Sequence, residues 1–189
     1  WVDSYLITEN CRERIFIFAK MRLKIFTILS AILLLFSCQR DEAETQTIDQ
    51  VLTLYMKSST NPDLLNSRIP GSYTSVTLLD ILGIRDLVPI SGSSLLKDSD
   101  TLTYLDYPAG AIRLKIDSLS NENEEIYYSQ FVVKLSRPSN STTPFVDDDT
   151  IKIEYKSTPS LFQISKLWYN GDLKFTKTQG EPNIVTIVK

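Results

Sequence analysis

Between Thr150 and Lys156 every second residue is apolar: Ile151, Ile153 and Tyr155 alternate with Lys152, Glu154 and Lys156. Successive side chains of a strand point to opposite faces, whereas a helix repeats its faces every 3.6 residues. This stretch therefore suits a half-buried strand and no helix. The pattern recurs. Ile112, Leu114 and Ile116 alternate with Arg113, Lys115 and Asp117, and Phe131, Val133 and Leu135 share one side of a run from Ile126 to Ser136. Past residue 50 no long segment carries a helical apolar period.

Further short runs fill the spaces between turn residues. Val51–Lys57, Ser72–Leu79, Thr101–Leu105 and Ile184–Val188 read as strands, while Ile81–Pro89 is ambiguous because Gly83 and Pro89 oppose a helix. Phe162–Tyr169 and Leu173–Lys177 flank Asn170-Gly171-Asp172. Asn-Gly suits a tight hairpin, since both central residues of a type I′ turn need positive φ. About eight to ten short strands with polar turns predict an all-β chain. The expected fold over 51–189 is a single β-sandwich, immunoglobulin-like or transthyretin-like, with a calycin-like barrel as the alternative.

The start of the chain carries a different signal. Met21-Arg22-Leu23-Lys24 is a charged head, Ile25–Phe36 is an apolar run of 12 residues broken only by Thr27 and Ser30, and Ser37-Cys38 closes it. That order is the plan of an export signal. The run is short for a membrane span, which needs about 20 residues at about 1.5 Å each. Residues 1–20 precede this complete signal and begin at Trp1. They read as upstream sequence translated from a wrongly chosen start, which leaves Cys11 outside the fold.

Leu35-Phe36-Ser37-Cys38 resembles the lipobox of bacterial lipoproteins, with an aliphatic residue three before the cysteine and a small one directly before it. The resemblance implies that residues 21–37 are cleaved and that Cys38 carries the lipid that anchors the chain to the membrane. Gln39-Arg40-Asp41-Glu42 resembles the acidic export signal of surface-exposed lipoproteins of Bacteroidetes-type bacteria. In its order of parts the chain resembles small Bacteroidetes lipoproteins of unknown function. The implied location is the outer membrane, at its periplasmic face or the cell surface. Residues 38–50 read as the lipidated cysteine and a polar, flexible tether.

Cleavage before Cys38 leaves 152 residues, enough for one domain with a real core. Five of the 20 Lys+Arg and three of the 23 Asp+Glu precede Cys38, leaving 15 basic against 20 acidic residues and a formal net charge of −5. No basic cluster is present. Nucleic acid is thus an unsuitable partner, because that affinity rests on neutralising phosphates. The chain has no histidine, and past residue 37 its one cysteine is Cys38. Cys/His zinc sites, Ser-His-Asp triads, Cys-His dyads and intrachain disulfides are excluded for the mature chain. Any catalysis would fall to carboxylates, Lys, Tyr or Ser, and no nucleophile–base motif is present. No catalytic residue, metal or cofactor is therefore assigned.

The remaining signals are weaker. Asp147-Asp148-Asp149 and Asp98-Ser99-Asp100 are acidic clusters without the spacing of a calcium loop. Asp100-Thr101-Leu102, Asp117-Ser118-Leu119 and Asp149-Thr150-Ile151 resemble the Asp-Ser/Thr-apolar sequon of Bacteroidetes-type exported proteins, which implies O-glycans on Thr101, Ser118 and Thr150. Tyr127, Tyr128, Tyr155, Trp168 and Tyr169 would form a platform for a protein or glycan ligand if several share a solvent face. The resulting expectation is a non-catalytic binding or accessory protein of the cell envelope. Two rivals stand beside it. A fimbria-like structural subunit would use an exposed, uncharged edge at Ile184–Val188, and a carboxylate-dependent glycan hydrolase would need two convergent acids in a cleft.

Overall fold

The long alternating runs become the two longest strands and form the middle of the larger of two sheets. A computed structural model describes residues 45–85, 87–139 and 142–189, which belong to one compact unit. Its elements in chain order are β1 (Thr47–Asp49), β2 (Leu52–Lys57), β3 (Ser75–Asp80), β4 (Val88–Pro89), β5 (Ser94–Lys97), β6 (Thr103–Tyr107) and β7 (Leu114–Lys115). A turn of 3-10 helix (Asp117–Leu119) leads to β8 (Glu125–Arg137), β9 (Phe145–Ser157), β10 (Leu161–Tyr169), β11 (Asp172–Thr176) and β12 (Ile184–Val188).

The larger sheet runs β1-β10-β9-β8-β3-β4, with β11 also on β10 and β7 also on β8; the smaller runs β12-β2-β6-β5. The fold is the expected all-β sandwich, with one of the two sheets curled. Its pairs are antiparallel except β1 on β10 and β12 on β2, which are parallel. The chain crosses from one sheet to the other between Asp49 and Leu52. Thr47–Asp49, expected as part of the tether, is thus the edge strand of the larger sheet, in register with Leu161–Gln163.

The alternation sorts side chains as it dictates. Phe131, Val133 and Leu135 of β8 and Ile151, Ile153 and Tyr155 of β9 are fully buried. They face Leu52, Leu54 and Met56 of β2, Leu105 and Tyr107 of β6, and Val185 and Ile187 of β12 within one core cluster. Two sheets that each hide one face account for all of these positions. Residues 58–73 close one end and bury Leu64 and Leu65. There Asn61 Nδ2 donates to Ser72 Oγ at 2.7 Å, and Ser72 Oγ donates to the Asp63 carbonyl at 3.1 Å, so this polar loop can lie against the core.

The hairpin forms where Asn-Gly places it: Asn170 has φ 51° and Gly171 φ 86°, the positive pair a type I′ turn requires. The expectation for residues 111–117 is corrected. Only Leu114 and Lys115 pair as strand, and Ile112 and Leu114 remain exposed. Arg113 provides a reason. Its guanidinium stacks 4.7 Å from the Tyr155 ring centre and 4.9 Å from that of Phe162, so the basic residue of the alternation covers the core and its apolar neighbours turn outward.

Candidate functional site

The outer face of the larger sheet holds the chain's solvent-facing aromatic strip. Tyr128 of β8 and Lys152 of β9 lie on the even-numbered side of their strands, opposite the buried odd residues. In β10 the inward residues are Ile164, then Leu167 and Tyr169, a step of three where a strand allows two. A β-bulge between Ile164 and Lys166 absorbs the extra residue. An inserted residue swaps the faces of everything after it. The bulge therefore turns Trp168 outward beside Lys152, its direct cross-strand neighbour.

Lys152 Nζ lies 5.3 Å from the ring centres of both Tyr128 and Trp168, which places a cation between two half-buried rings. Lys166 Nζ lies 6.0 Å from Trp168 on the same side and pairs with Glu154 at 3.2 Å. Leu114, opposite Tyr128, and Leu173, opposite Trp168, extend the strip at both ends and are exposed. Each cation–π contact contributes about 0.5–1 kcal/mol at an exposed site, enough to order the side chains without hiding the rings. Flat rings with a cation at hand offer stacking and hydrogen bonding to a planar or hydroxyl-rich ligand.

The five aromatic residues expected together are divided. Tyr155 and Tyr169 are core residues. Tyr127 is turned toward Phe162, with ring centres 6.4 Å apart, and donates to Glu125 Oε2 at 2.6 Å. Only Tyr128 and Trp168 share the outer face. A second solvent-facing pair, Tyr55 and Tyr104 with centres 5.6 Å apart, lies on the outer face of the smaller sheet. Its signal in the sequence was the alternation of β2 and β6, not an aromatic cluster.

The acidic clusters have structural employment. Alternation sends Asp147 and Asp149 to one side of β9 and leaves Asp148 exposed opposite Lys134. Asp147 and Asp149 converge on Lys189, whose Nζ is 2.5 Å from Asp147 Oδ2 and also pairs with Asp149 Oδ2. Tyr73 donates to Asp147 at 3.1 Å, and Asn170 Nδ2 to Asp149 at 2.7 Å. Burial alone would raise the Asp149 carboxyl, but Lys189, Tyr169 and Asn170 outweigh it and hold it below its ordinary value. Burial and the Asp149 charge push the Tyr169 hydroxyl well up. Asp98 accepts from Tyr55 and from the amides of Asp100 and Leu102, shaping the β5–β6 turn. Among the described residues no three His, Cys, Asp or Glu are placed to hold a metal ion.

The three sequon residues are not brought together. Thr101 is exposed with φ 66° at the tip of the β5–β6 turn, and Ser118 is exposed in the 3-10 turn. Thr150 sits within β9, its amide donating to Asn170 Oδ1 at 2.7 Å and its carbonyl accepting from the Asn170 amide. Cys38 and residues 1–37 lie outside the described residues. A shallow cavity of about 410 Å³ between Asp80, Ile84, Val88 and Ile112 is mostly apolar, and one of about 260 Å³ at Gln46, Glu122 and Glu125 is acidic. These features define a two-sheet β-sandwich with an aromatic–cationic outer face. The chain matches no protein-family model, no curated protein and no solved structure.

Proposed function

We propose that the chain is a lipoprotein anchored through Cys38 to the outer membrane, at its periplasmic face or the cell surface, and that its sandwich is a non-catalytic binding or accessory module. The observation that carries the binding half is the Tyr128–Lys152–Trp168 strip on the outer face of the larger sheet, flanked by exposed Leu114 and Leu173. A protein surface or a glycan fits it, since both stack on exposed rings. The anchoring half rests on the lipobox. Nine residue steps separate Cys38 from Thr47, so the tether reaches at most about 32 Å, at about 3.5 Å per step. Chain order then favours contact with partners along the strip, which crosses the strands at the level of Lys166 and Trp168. β1 enters beside Leu161, and β10 runs from there to Trp168 at the other end.

The hydrolase alternative gains little. The two acids that converge, Asp147 and Asp149, meet on Lys189.

Two measurements test the proposal. Protein recovered from its native membranes is expected to have the mass of Cys38–Lys189 plus acyl chains, a form lost in Cys38→Ala; a lipid-free mass that keeps residues 1–37 overturns the address. Sugar-sized increments lost on changing Thr101, Ser118 or Thr150 would identify the glycans. The chain's two tryptophans are Trp1 and Trp168, so a mature chain reports Trp168 alone. Its emission is expected to shift saturably with cellopentaose or oligogalacturonate, and Tyr128→Ala or Lys152→Ala to weaken that response about tenfold, the equivalent of about 1.4 kcal/mol. Emission that neither probe moves, with no envelope component cross-linked through a photoreactive residue at Gln130, overturns the binding reading.

A further inference from the structure

We propose that two copies of this domain pair edge to edge through β12, antiparallel about a two-fold axis at Thr186. This inference rests on neither the membrane address nor the aromatic strip. It begins with which backbone groups β12 leaves unused. β12 is the edge of the smaller sheet, paired on one side with β2 and, among the described residues, with no strand on the other. The bonds at its ends fix its phase: the Thr53 amide donates to the Asn183 carbonyl at 2.9 Å, and the Lys189 amide to the Lys57 carbonyl at 2.8 Å. In a parallel pair, alternate residues bond the same neighbour. Asn183, Val185, Ile187 and Lys189 therefore face β2, and Ile184, Thr186 and Val188 face the open edge. The Ile184 amide is taken by the Pro182 carbonyl. The open donors are the amides of Thr186 and Val188; the open acceptors include the carbonyls of Ile184 and Thr186.

A second copy laid antiparallel with Thr186 opposite Thr186 satisfies both donors. The two Thr186 residues exchange amide-to-carbonyl bonds, and each Val188 amide meets the partner's Ile184 carbonyl. The side chains agree with the same register, because Ile-Val-Thr-Ile-Val reads nearly the same in both directions. On the outer face Ile184, 48% exposed, meets Val188, 68% exposed; on the inner face Val185 and Ile187 fall opposite each other but are already buried within each copy. Every cross-strand pair away from the axis is β-branched and apolar, the kind that stabilises antiparallel sheets.

The edge is also unguarded. Open edges are normally blunted by charge, proline or brevity. β1 carries Asp49, paired with Lys177; β4 is two residues with Pro89; β5 carries Lys97; β7 is two residues with Lys115; β11 carries Asp172 and Lys174. β12 has five residues and none of these devices. The two-fold register is isologous, so it closes as a dimer with one continuous eight-stranded sheet and does not propagate as a fimbria-like polymer would. The contact is small, so the dimer is expected at roughly 10 µM to 1 mM.

Residues 45–189 contain the whole described core and are the chain to test. Sedimentation velocity across that concentration range is expected to show a monomer passing to a dimer. Thr186 is exposed, so charge is tolerated in the monomer. Thr186→Lys and Thr186→Glu each place like charges directly opposite across the axis and are expected to weaken the dimer at least about tenfold, while an equimolar mixture restores it as a heterodimer. A second pair of variants holds if charge at 186 impairs folding. Ile184→Lys with Val188→Lys should block pairing, and Ile184→Lys with Val188→Glu should restore it. A wild-type chain still monomeric at about 1 mM, or a dimer that folded Thr186→Lys and Thr186→Glu leave intact, overturns the proposal.

Discussion

Phe131→Ala is expected to destabilise the domain by about 4 kcal/mol, the cost of emptying a ring-sized site in a core that relaxes only in part. Phe131 lies in β8, mid-sheet, fully buried, in register with Ile151 on one side and Asp80 on the other. Its ring centre is 4.9 Å from that of Tyr107 in the opposite sheet, tilted by 33°. That contact joins the two layers. Tyr107 is itself pinned, its hydroxyl accepting the Ala111 amide at 3.1 Å, so it cannot swing across to fill the void. A domain of this size has about 5–15 kcal/mol of stability, so the variant retains little margin. Its melting temperature should fall by about 10 °C or more, at about 2–4 °C per kcal/mol. Lys134→Ala, three residues along the same strand and exposed, should move stability by less than about 0.5 kcal/mol. A loss below about 1 kcal/mol for Phe131→Ala would mean that the two sheets do not meet at this ring.

The alternation that placed Phe131 inside was legible because a period of two is written directly into β8 and β9. The Asn170-Gly171 hairpin and the strand at Ile184–Val188 were legible for the same local reason: each depends on its own few residues. Features that depend on partners far along the chain were not. Thr47–Asp49 has a single apolar residue, Ile48, and reads as tether, yet it is a strand because β10 offers it an edge. Residues 111–117 alternate but lack a neighbour over most of their length, and Arg113 takes the covering role that Ile112 and Leu114 were expected to fill. The bulge before Lys166 reversed the face of Trp168. Its trace in the sequence is the three-residue step from Ile164 to Leu167, across the consecutive polar pair Ser165-Lys166. Two outward aromatics of the expected five were therefore found, but for a reason that only the paired strands reveal. Lys189, 40 residues from its partner Asp149, gave no local sign of the ion pair.

That ion pair carries the second large effect. Lys189→Met is expected to cost about 3 kcal/mol near neutral pH, because it keeps the packed stem and leaves a buried carboxylate without its cation. The Lys189 side chain is 18% exposed and that of Asp149 5%, so water replaces the lost partner only in part. The pH dependence separates charge from packing. Asp149 is held below its ordinary value, so its stabilising contribution is present at neutral pH and is lost as pH falls below about 3.9 and through the folded-state value. Lys189 has the opposite sign. Burial alone would lower its pKa, but Asp147 and Asp149 raise it overall; its contribution is full below about pH 10.4 and is lost as pH rises through the folded value. In Lys189→Met only Tyr169 and Asn170 still offset the burial of Asp149, so the carboxyl takes up a proton at a higher pH than in the wild type and sheds its charge. Urea midpoints from about pH 2 to 11 should therefore show the two proteins furthest apart on the neutral plateau and converging toward acid, with a smaller convergence at the alkaline end. A difference that stays constant across that range would assign the whole loss to the lysine stem and leave the Asp147–Lys189–Asp149 charges without a role in stability.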